Sequence, residues 1–563
     1  IEQGPRGVVE DDGKINPKPI ENLVAVFARA EKANISINLL LSPHYFPDWA
    51  LKKWPDLAEC QGGFFKYCVH APEARAIIER YLRAIVPALK DSPALHSFCL
   101  SNEPLSTKLD QCPHIRAQWP QWLERRHGSI DQLNQRWHSA YASFADIPVP
   151  KPFPDGAIAY DFVQFNQETF AAFHQWLADV IHDMAPAIPV HAKIMMAAHF
   201  NKNPAGIWSV SPELFAQLSQ INGNDACNFP RHGHPQWYNG WQRYEMGYDF
   251  QRSMRDLPVF NSENHIISDR DFSSRWPIHS YSALIQGALH GQSATTFWVW
   301  ERSNDPVSDL AGSILHRPNH VLAVSAAAMD LNRHAPVVTT FQQEPPSVVH
   351  LWSLSTVLHG QSLHLSTMDT LWTSFCALGQ TQGFLTERQL NDIGTSGKLP
   401  PVLRQARLLV LPAVSHLPAA ALPALDMIRK QGIAVVLFGD SALDRDEYDQ
   451  PLPQPPQYER LPLTKAYDDQ PAALLPRLGA WGVTPAVMAS DTDGRPLYGL
   501  EFRSVEHAGQ TYTALCNQRL TPVTVSLRHL VKPCDSHDLL ANQPQTSSIT
   551  LPPLQPMILL IKK

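Results

Sequence analysis

No run of about 18 apolar residues interrupts this chain, so no segment reads as a membrane-spanning helix. There is no basic block either. Lys and Arg number 46 against 53 Asp and Glu, and the net charge of −7 is spread along 563 residues. The electrostatic footprint of a nucleic-acid binder is missing. Cysteine is sparse and scattered, at positions 60, 68, 99, 112, 227, 376, 516 and 534. No C-x-x-C pair occurs, which leaves a structural zinc site without support, and a disulfide framework is excluded beyond one or two bridges. Glycine is low, at 27 residues, and the glycine signatures are absent with it. There is no G-x-G-x-x-G, no Walker loop, no G-x-S-x-G elbow and no H-E-x-x-H. Gly394-Thr395-Ser396-Gly397-Lys398 ends in Gly-Lys without the upstream glycine. No repeat of 20–50 residues is seen. These absences argue against dinucleotide, nucleoside-triphosphate, serine-hydrolase and zincin chemistry, and neither a cofactor nor a metal is expected. The first residue, Ile1, is followed by neither a charged n-region nor an apolar h-region. The expectation is a removed leader or an N-terminal part outside this chain, with the compartment open between cytoplasm and periplasm.

What is present is proline, histidine and aromatics: 49 Pro, 25 His, 15 Trp, 14 Tyr and 23 Phe. The aromatics argue for packed domains despite the proline. Trp and His in such numbers suit a site that stacks on a polar ring, or simply fill large cores. Over roughly the first 335 residues, short apolar runs alternate with helical patterns. Strands are expected at 35–41, 95–100, 189–196, 225–229, 257–261 and 294–300. Helices are expected at 21–33, 73–89, where Pro87 strains or ends the last turn, and 161–184. Such alternation implies a parallel sheet, and this many units point to a (β/α)8 TIM barrel. The opening Ile1-Glu2-Gln3-Gly4-Pro5 reads as a loop after a strand. The first barrel strand is therefore expected from an N-terminal segment upstream, because an open barrel exposes edges.

Residues 336–485 read as a second, smaller α/β domain. Its strands are expected at 348–352, 407–411 and 433–438, with a helix at 419–430 closed by Gln431-Gly432 and a Pro-rich loop at 451–462. Residues 486–563 carry short β runs at 500–505, 511–515, 523–527 and 557–561, a C-terminal β-sandwich. The fold class is thus α/β: a barrel over 1–335, the smaller domain over 336–485 and the sandwich over 486–563.

Two carboxylates stand at strand ends. Glu103 closes Phe98-Cys99-Leu100-Ser101-Asn102-Glu103-Pro104, and Glu263 follows Pro258-Val259-Phe260-Asn261-Ser262. In a barrel, the C-terminal ends of strands line the active face. Paired carboxylates suit glycosidic cleavage, one protonating the departing oxygen and the other attacking the anomeric carbon or activating water. Taken alone, each reads first as an exposed or salt-bridged loop residue.

Five stretches now carry a resemblance. They are Ser42-Pro43-His44-Tyr45-Phe46-Pro47-Asp48-Trp49, Asn102-Glu103, Asp161-Phe162-Val163-Gln164-Phe165, Glu263, and His290-Gly291 with Phe297-Trp298-Val299-Trp300. Together they resemble the retaining family-42 glycoside hydrolases, mostly β-galactosidases. The resemblance implies that Glu103 is the acid/base at the end of strand four and Glu263 the nucleophile at the end of strand seven. Asn102 would bind the sugar 2-hydroxyl, the Ser42–Trp49 loop would follow strand two, and Trp300 would be a sugar platform. It also implies a flavodoxin-like trimerisation domain and a small C-terminal β domain, hence a homo-oligomer, trimer or dimer. The departures are that family's zinc-binding cysteine cluster, which is not seen here, and the residues around Glu263, Asn261–His265 and Asp269-Arg270-Asp271, which are not the usual galactosidase context.

The remaining candidates are weaker. His44 is a hydroxyl ligand or a stacked loop residue. His199 and Asn201 follow strand five. Asn264 and His265 follow the nucleophile. Trp298 and Trp300, two apart on strand eight, face one side, with Trp298 the deeper. Glu301 and Arg302 form a salt bridge or reach the sugar. His232 and His234 lack further metal ligands, and Trp237, Tyr238 and Trp241 form an aromatic wall or pack a loop. Asp440 after Gly439 is a flavodoxin-type strand end without a phosphate loop. The implied substrate is an oligosaccharide or β-glycoside, cleaved from chain ends as a β-galactoside. The alternatives are the same machinery on a β-glucoside, β-mannoside or algal galactan, a transglycosylase, or a non-catalytic carbohydrate-binding protein.

Overall fold

The computed structural model describes residues 1–57, 62–200, 204–226, 241–267, 276–301, 313–360, 362–529 and 532–562. It divides into two compact units, Ile1–Asp225 with Tyr448–Gln450, and Ala226–Glu447 with Pro451–Lys563. Among the expected site residues, Asn201, His232, His234, Trp237, Tyr238 and Arg302 lie outside the described residues, as do Asp269-Arg270-Asp271 and the side chain of Trp241.

The first unit is built on parallel strands β1 (Ile37–Leu40), β2 (Leu95–Asn102) and β3 (Val190–Lys193), hydrogen-bonded in that order. A parallel bridge from Ile194 to Asn224 adds β4 (Asn222–Asn224) beside β3. That strand is three residues earlier than the sequence suggests, because the apolar signal of Asp225–Phe229 lies beyond the paired residues. The opening residues are not a free loop. Glu2 bridges Leu40 in parallel, Leu40 N donates to the Ile1 carbonyl at 2.9 Å, and Gln3 N donates to the Leu40 carbonyl at 3.0 Å. Since β1 is the direct neighbour of β2, a fourth-strand place for β2 makes β1 the third. The Ser42–Trp49 loop then follows strand three, a correction to the sequence count.

Helix Pro72–Leu89 buries Ile77, Ile78, Tyr81, Leu82, Ile85, Val86 and Leu89 on one stripe, the 3.6-residue period of a core-facing helix. Pro87 lacks the N–H that would bond the Arg83 carbonyl, but the helix ends two residues later, so the loss is confined to its last turn. Helix Ala157–Met184 is buried along most of its length and carries a carboxylate inside the unit. Asp161 accepts from Arg126, from His127 Nε2 at 2.9 Å, from Trp137 Nε1 at 2.9 Å and from the Tyr448 hydroxyl at 3.2 Å. Burial would lower Arg126, but Asp161 and Tyr448 outweigh it and hold the guanidinium above its ordinary pKa.

In the second unit, β5 (Val259–Asn264) and β6 (Gln292–Phe297) run parallel, with helices Trp241–Met254, Pro277–Leu289 and Pro318–Arg333. A five-stranded parallel sheet follows, of β7 (Val348–Trp352), β8 (Gln382–Thr386), β9 (Leu408–Pro412), β10 (Ala434–Phe438) and β11 (Glu459–Leu461), in the order β11-β10-β9-β7-β8. Its two faces are separate cores. Val349, Leu351, Leu409, Leu411, Val435 and Leu437 pack on one side, while Val348, Leu408, Val410, Val436 and Phe438 pack on the other. This is the two-residue period of a strand buried on both faces. β11 lies in the stretch expected to be a Pro-rich loop. Three residues suffice there because they only add an edge.

The C-terminal residues form two antiparallel sheets around one core. One contains Leu500–His507, Gln510–Asn517, Pro556–Ile561, Ser536–Asp538 and Gln543–Gln545. The other contains Val487–Ser490, Val523–His529, Lys532–Pro533 and Ser548–Leu551. Ala508 and Gly509, both at positive φ (50° and 77°), make the two-residue hairpin turn.

One polar group joins several elements of this unit. His290, just after helix Pro277–Leu289, bonds Asp249 through Nδ1 at 2.9 Å and Glu501 through Nε2, and Trp372 Nε1 donates to Asp249 at 3.2 Å. Burial would lower the imidazole, but the Asp249 and Glu501 carboxylates raise its pKa to about 9.

Candidate active site

Each unit holds one of the two glutamates at the C-terminal end of a parallel strand. In the first unit, Glu103 follows β2 directly. Its amide donates to the Lys193 carbonyl at the end of β3, at 3.0 Å. Its φ is 39°, in the left-handed region that a non-glycine residue occupies at a cost of about 1 kcal/mol or more. The ladder holds the residue there from one side and Pro104 continues the chain from the other, so the backbone leaves the strand sharply at the carboxylate. Asn102, half-buried, is the last strand residue and lies opposite Lys193 in the register.

The loop after the adjacent strand β1 carries His44. It is buried, with Nε2 3.5 Å from Glu2 Oε1 and its ring against Tyr45 and Phe64, at 4.4 and 5.4 Å between centroids. Ser42 Oγ donates to the same Glu2 oxygen at 2.6 Å. Burial would raise the Glu2 carboxyl. The bonds from His44 and Ser42, and the charge of Lys193, outweigh it and leave it lowered. Beneath these ends lies a buried polar layer, in which Asn38 Oδ1 accepts from Ser97 Oγ at 3.0 Å and meets His191 Nε2 at 3.1 Å.

Glu2 and Lys193 were missed by sequence reasoning. Glu2 sits in an apparent loop with no pattern around it. Lys193 had a signal: a lysine ending the short strand Val-His-Ala-Lys, and the structure buries it. His199 is buried, its Nε2 meets the Val210 carbonyl at 3.1 Å, and burial lowers its pKa.

In the second unit, Glu263 is the fifth residue of β5, inside the strand rather than beyond it, and is buried. Its amide donates to Asn261 Oδ1 at 3.3 Å, and its Oε1 lies 3.4 Å from His265 Nε2. Asn261 is fixed in turn, its Nδ2 donating to the Tyr248 hydroxyl at 3.0 Å and to the Ala226 carbonyl at 3.2 Å. Tyr244 and Tyr248 both donate to Gln292 Oε1, at 3.0 and 2.6 Å. Burial raises both phenols, so they stay protonated donors. This supporting layer was also missed, since its members come from a helix and two strands.

Asn264 belongs to that layer. It is fully buried, and its Nδ2 donates to the Tyr244 hydroxyl and to Thr295 Oγ1, both at 3.0 Å. It braces the end of β5 beside Glu263 from within. His265 is half-buried, with its ring 6.2 Å from Trp298. Trp298 N donates to the Asn264 carbonyl at 3.0 Å, which ties the turn after β6 to the end of β5. β6 ends at Phe297, so Trp298 and Trp300 are not a same-face strand pair, and the peptide between Trp298 and Val299 is cis. Trp298 is half-buried, whereas Trp300, 42% exposed, and Glu301 are open to solvent.

Residues 18–320 match the family model of glycoside hydrolase family 42, described as beta-galactosidase. The chain is 24% identical over 309 residues to a β-galactosidase of Geobacillus kaustophilus, a match covering 50% of this chain and 43% of that protein. It is 20% identical over 377 residues to a β-galactosidase of Alicyclobacillus acidocaldarius, covering 62% and 53%. The chain thus spans about half the length of these curated relatives. Among solved structures, an exo-carrageenase of this family from Bacteroides ovatus superposes with a TM-score of 0.84 at 20% identity, over 100% of this chain and 79% of that one. A catalytic mutant of a β-galactosidase from G. stearothermophilus gives 0.78 at 14% identity, over 100% and 93%. These likenesses show the fold, an α/β chain with a TIM barrel followed by further domains.

Proposed function

From the chain's membership of glycoside hydrolase family 42, we propose that it is a retaining, exo-acting β-galactosidase. The observation that carries this reading is a glutamate at the end of each of two parallel strands. One follows Asn102, and the other is braced by Asn261 and His265.

In the first step the Glu263 carboxylate attacks the anomeric carbon as the glycosidic bond breaks, and Glu103 gives its proton to the departing oxygen. In the second step Glu103, now a carboxylate, takes a proton from water. The hydroxide so formed attacks the anomeric carbon and frees Glu263. The scheme needs Glu103 protonated and Glu263 ionised at the start. Retention needs the two carboxyls about 5–5.5 Å apart. Asn102 takes the sugar 2-hydroxyl, His44 another hydroxyl, and Trp298 and Trp300 the ring face. In this reading residues 1–335 form the catalytic barrel, 336–485 a trimerisation domain and 486–563 the terminal sandwich.

A second reading is the same chemistry on a galactan. It is suggested by the name of a family member that shares this fold, the exo-carrageenase.

The test is hydrolysis of aryl β-galactoside, β-glucoside, β-mannoside, β-fucoside and β-xyloside, and of carrageenan oligosaccharides. Wild type is compared with Glu263→Ala and Glu103→Ala. Turnover of the galactoside with retained anomeric configuration, lost in Glu263→Ala and lowered in Glu103→Ala, supports the first reading. Turnover of carrageenan alone supports the second. Silence on every substrate by a folded protein sinks both.

A further inference from the structure

Helices Pro72–Leu89, Gln118–His127 and Ala157–Met184 of the first unit border a cleft of about 560 Å³, within the roughly 300–1,000 Å³ of small-ligand sites. Among the described residues, no member of the candidate active site lines it. Its polar wall is His70, Arg75, Gln118, Arg125 and Glu168, beside the aromatic Trp122. Arg75 is half-buried. Its guanidinium carbon lies 4.9 Å from the Trp176 ring centroid, and its Nε donates to the Val69 carbonyl at 3.3 Å. Burial lowers its pKa, and no carboxylate among the described residues compensates. Arg125, exposed in the last turn of its helix, has no ion pair among them either, whereas the next residue, Arg126, takes Asp161. Charge removed from water is costly unless it is paired, so a half-buried, unpaired guanidinium on a cleft wall marks a place for an anion.

A second observation points the same way. His70 Nε2 is buried and has no hydrogen-bond partner. Burial lowers the imidazole pKa to about 4, so at neutral pH its Nε2–H tautomer offers a donor without adding charge. Glu168 accepts from Trp122 Nε1 at 2.8 Å, which fixes the carboxylate beside the indole. Two guanidinium groups against one carboxylate leave one positive charge in excess. That balance suits a singly charged group, a sulfate ester or a carboxylate, better than a doubly charged phosphate.

We propose that this cleft is a second saccharide site, apart from the two glutamates, for a sugar unit carrying one sulfate or carboxylate group. Arg75 and Arg125 hold the anionic group through charge-assisted hydrogen bonds, and His70 donates to it. Glu168 and Gln118 meet the hydroxyls, with Trp122 against the ring carbons. Binding here keeps an anionic polysaccharide on the enzyme between cuts by raising its effective concentration. That the ligand is a sugar rests on the glycosidase reading above, whereas the anion pairing stands on the two arginines.

The experiment titrates the full chain with galactose 4-sulfate, galacturonate, galactose and inorganic sulfate in a calorimeter. The expected result is saturable binding of a charged sugar, weakened about tenfold in Arg75→Ala and in Arg125→Ala, the worth of a hydrogen bond to a charged group. Galactose and inorganic sulfate bind more weakly than the charged sugar, and the tighter of the two charged sugars names the substituent. Arg125→Ala keeps the wild-type rate on an aryl β-galactoside and the wild-type urea midpoint, so it decides the question even where Arg75→Ala fails to fold. No binding of either charged sugar overturns the proposal, and so does an affinity equal in wild type and Arg125→Ala. Inorganic sulfate bound as tightly as the sulfated sugar overturns the saccharide assignment. A protein silent on every glycoside that still binds the charged sugar through both arginines would sink the glycosidase reading and leave this site standing.

Discussion

Two glutamates with the same side chain are held here by different means, and their variants should fail differently. Glu103 is set by its backbone, at φ 39° with its amide on the Lys193 carbonyl. Replacing it by Gln keeps that geometry and removes both the transferable proton and the base of the second step. We expect kcat/KM to fall about 10²–10⁴-fold on a poor leaving group, the usual worth of a positioned acid, and far less on an activated aryl glycoside, where kcat still falls because the second step lacks its base. Leaving-group dependence measured on a series of aryl galactosides checks this. Glu263→Ala removes the attacking atom, and no leaving group compensates. Added azide, which can attack the anomeric carbon from the vacated side, should restore turnover to Glu263→Ala and give a glycosyl azide of inverted configuration. Asn261 is a positioning residue, since it touches the Glu263 amide and the Tyr248 hydroxyl. Asn261→Ala leaves a buried phenol and a buried amide without that partner, and should cost about 1–3 kcal/mol in urea unfolding.

At the scale of elements, two buried charged groups hold helices and strands in register. Asp161 on helix Ala157–Met184 gathers Arg126, His127, Trp137 and Tyr448. Asp161→Ala leaves the buried His127 and Trp137 donors without their shared acceptor and removes the partner of Arg126, and should destabilise the protein by about 1–3 kcal/mol, read from urea unfolding. His290 supplies the pH dependence. Its folded pKa, raised to about 9, lies above the ordinary value of 6.5. Below about pH 6.5 the imidazole is charged whether folded or not, and the stabilisation by Asp249 and Glu501 is fully present. As pH rises toward 9 the unfolded state gives up its proton first, and that stabilisation fades until the folded imidazole titrates too. The Tm of wild type should therefore fall between pH 6.5 and 9, while that of His290→Asn starts lower and falls less over the same window. Parallel slopes for the two proteins would contradict the assignment.

For the whole molecule, the prediction concerns assembly. If residues 336–485 trimerise the protein, light scattering should give a mass about three times 63.0 kDa. A monomer at micromolar concentration would end that part of the reading.

Periodicity carried much of the fold. The stripe of Ile77, Ile78, Tyr81, Leu82, Ile85 and Leu89 marks a helix because only a helix brings those positions to one face. The doubly buried runs 348–352 and 433–438 mark parallel strands for the same kind of reason. β8 was illegible because Gln382-Gly383-Phe384-Leu385-Thr386 is short and mixed in polarity, and its place is decided by pairing with β7. At the candidate site, Glu103 and Glu263 were legible because each follows an apolar run closely. Asn264 was legible only as a neighbour. That it turns inward to Tyr244 depends on a helix twenty residues upstream in the chain. The pairing expected of Trp298 and Trp300 assumed a strand that stops at Phe297.

By itself, then, the sequence determined the alternation of strands and helices and the position of two carboxylates at strand ends. Both are written in the spacing of residues along one segment. Only the tertiary structure decided that Glu2 and Lys193 border the Glu103 strand end, that Asp161 and His290 are the centres of buried charge, and that Arg75 and Arg125 line one cleft. Each of these depends on which distant segments pack together, and that choice is made by the burial and hydrogen bonding of the whole chain rather than by any local pattern.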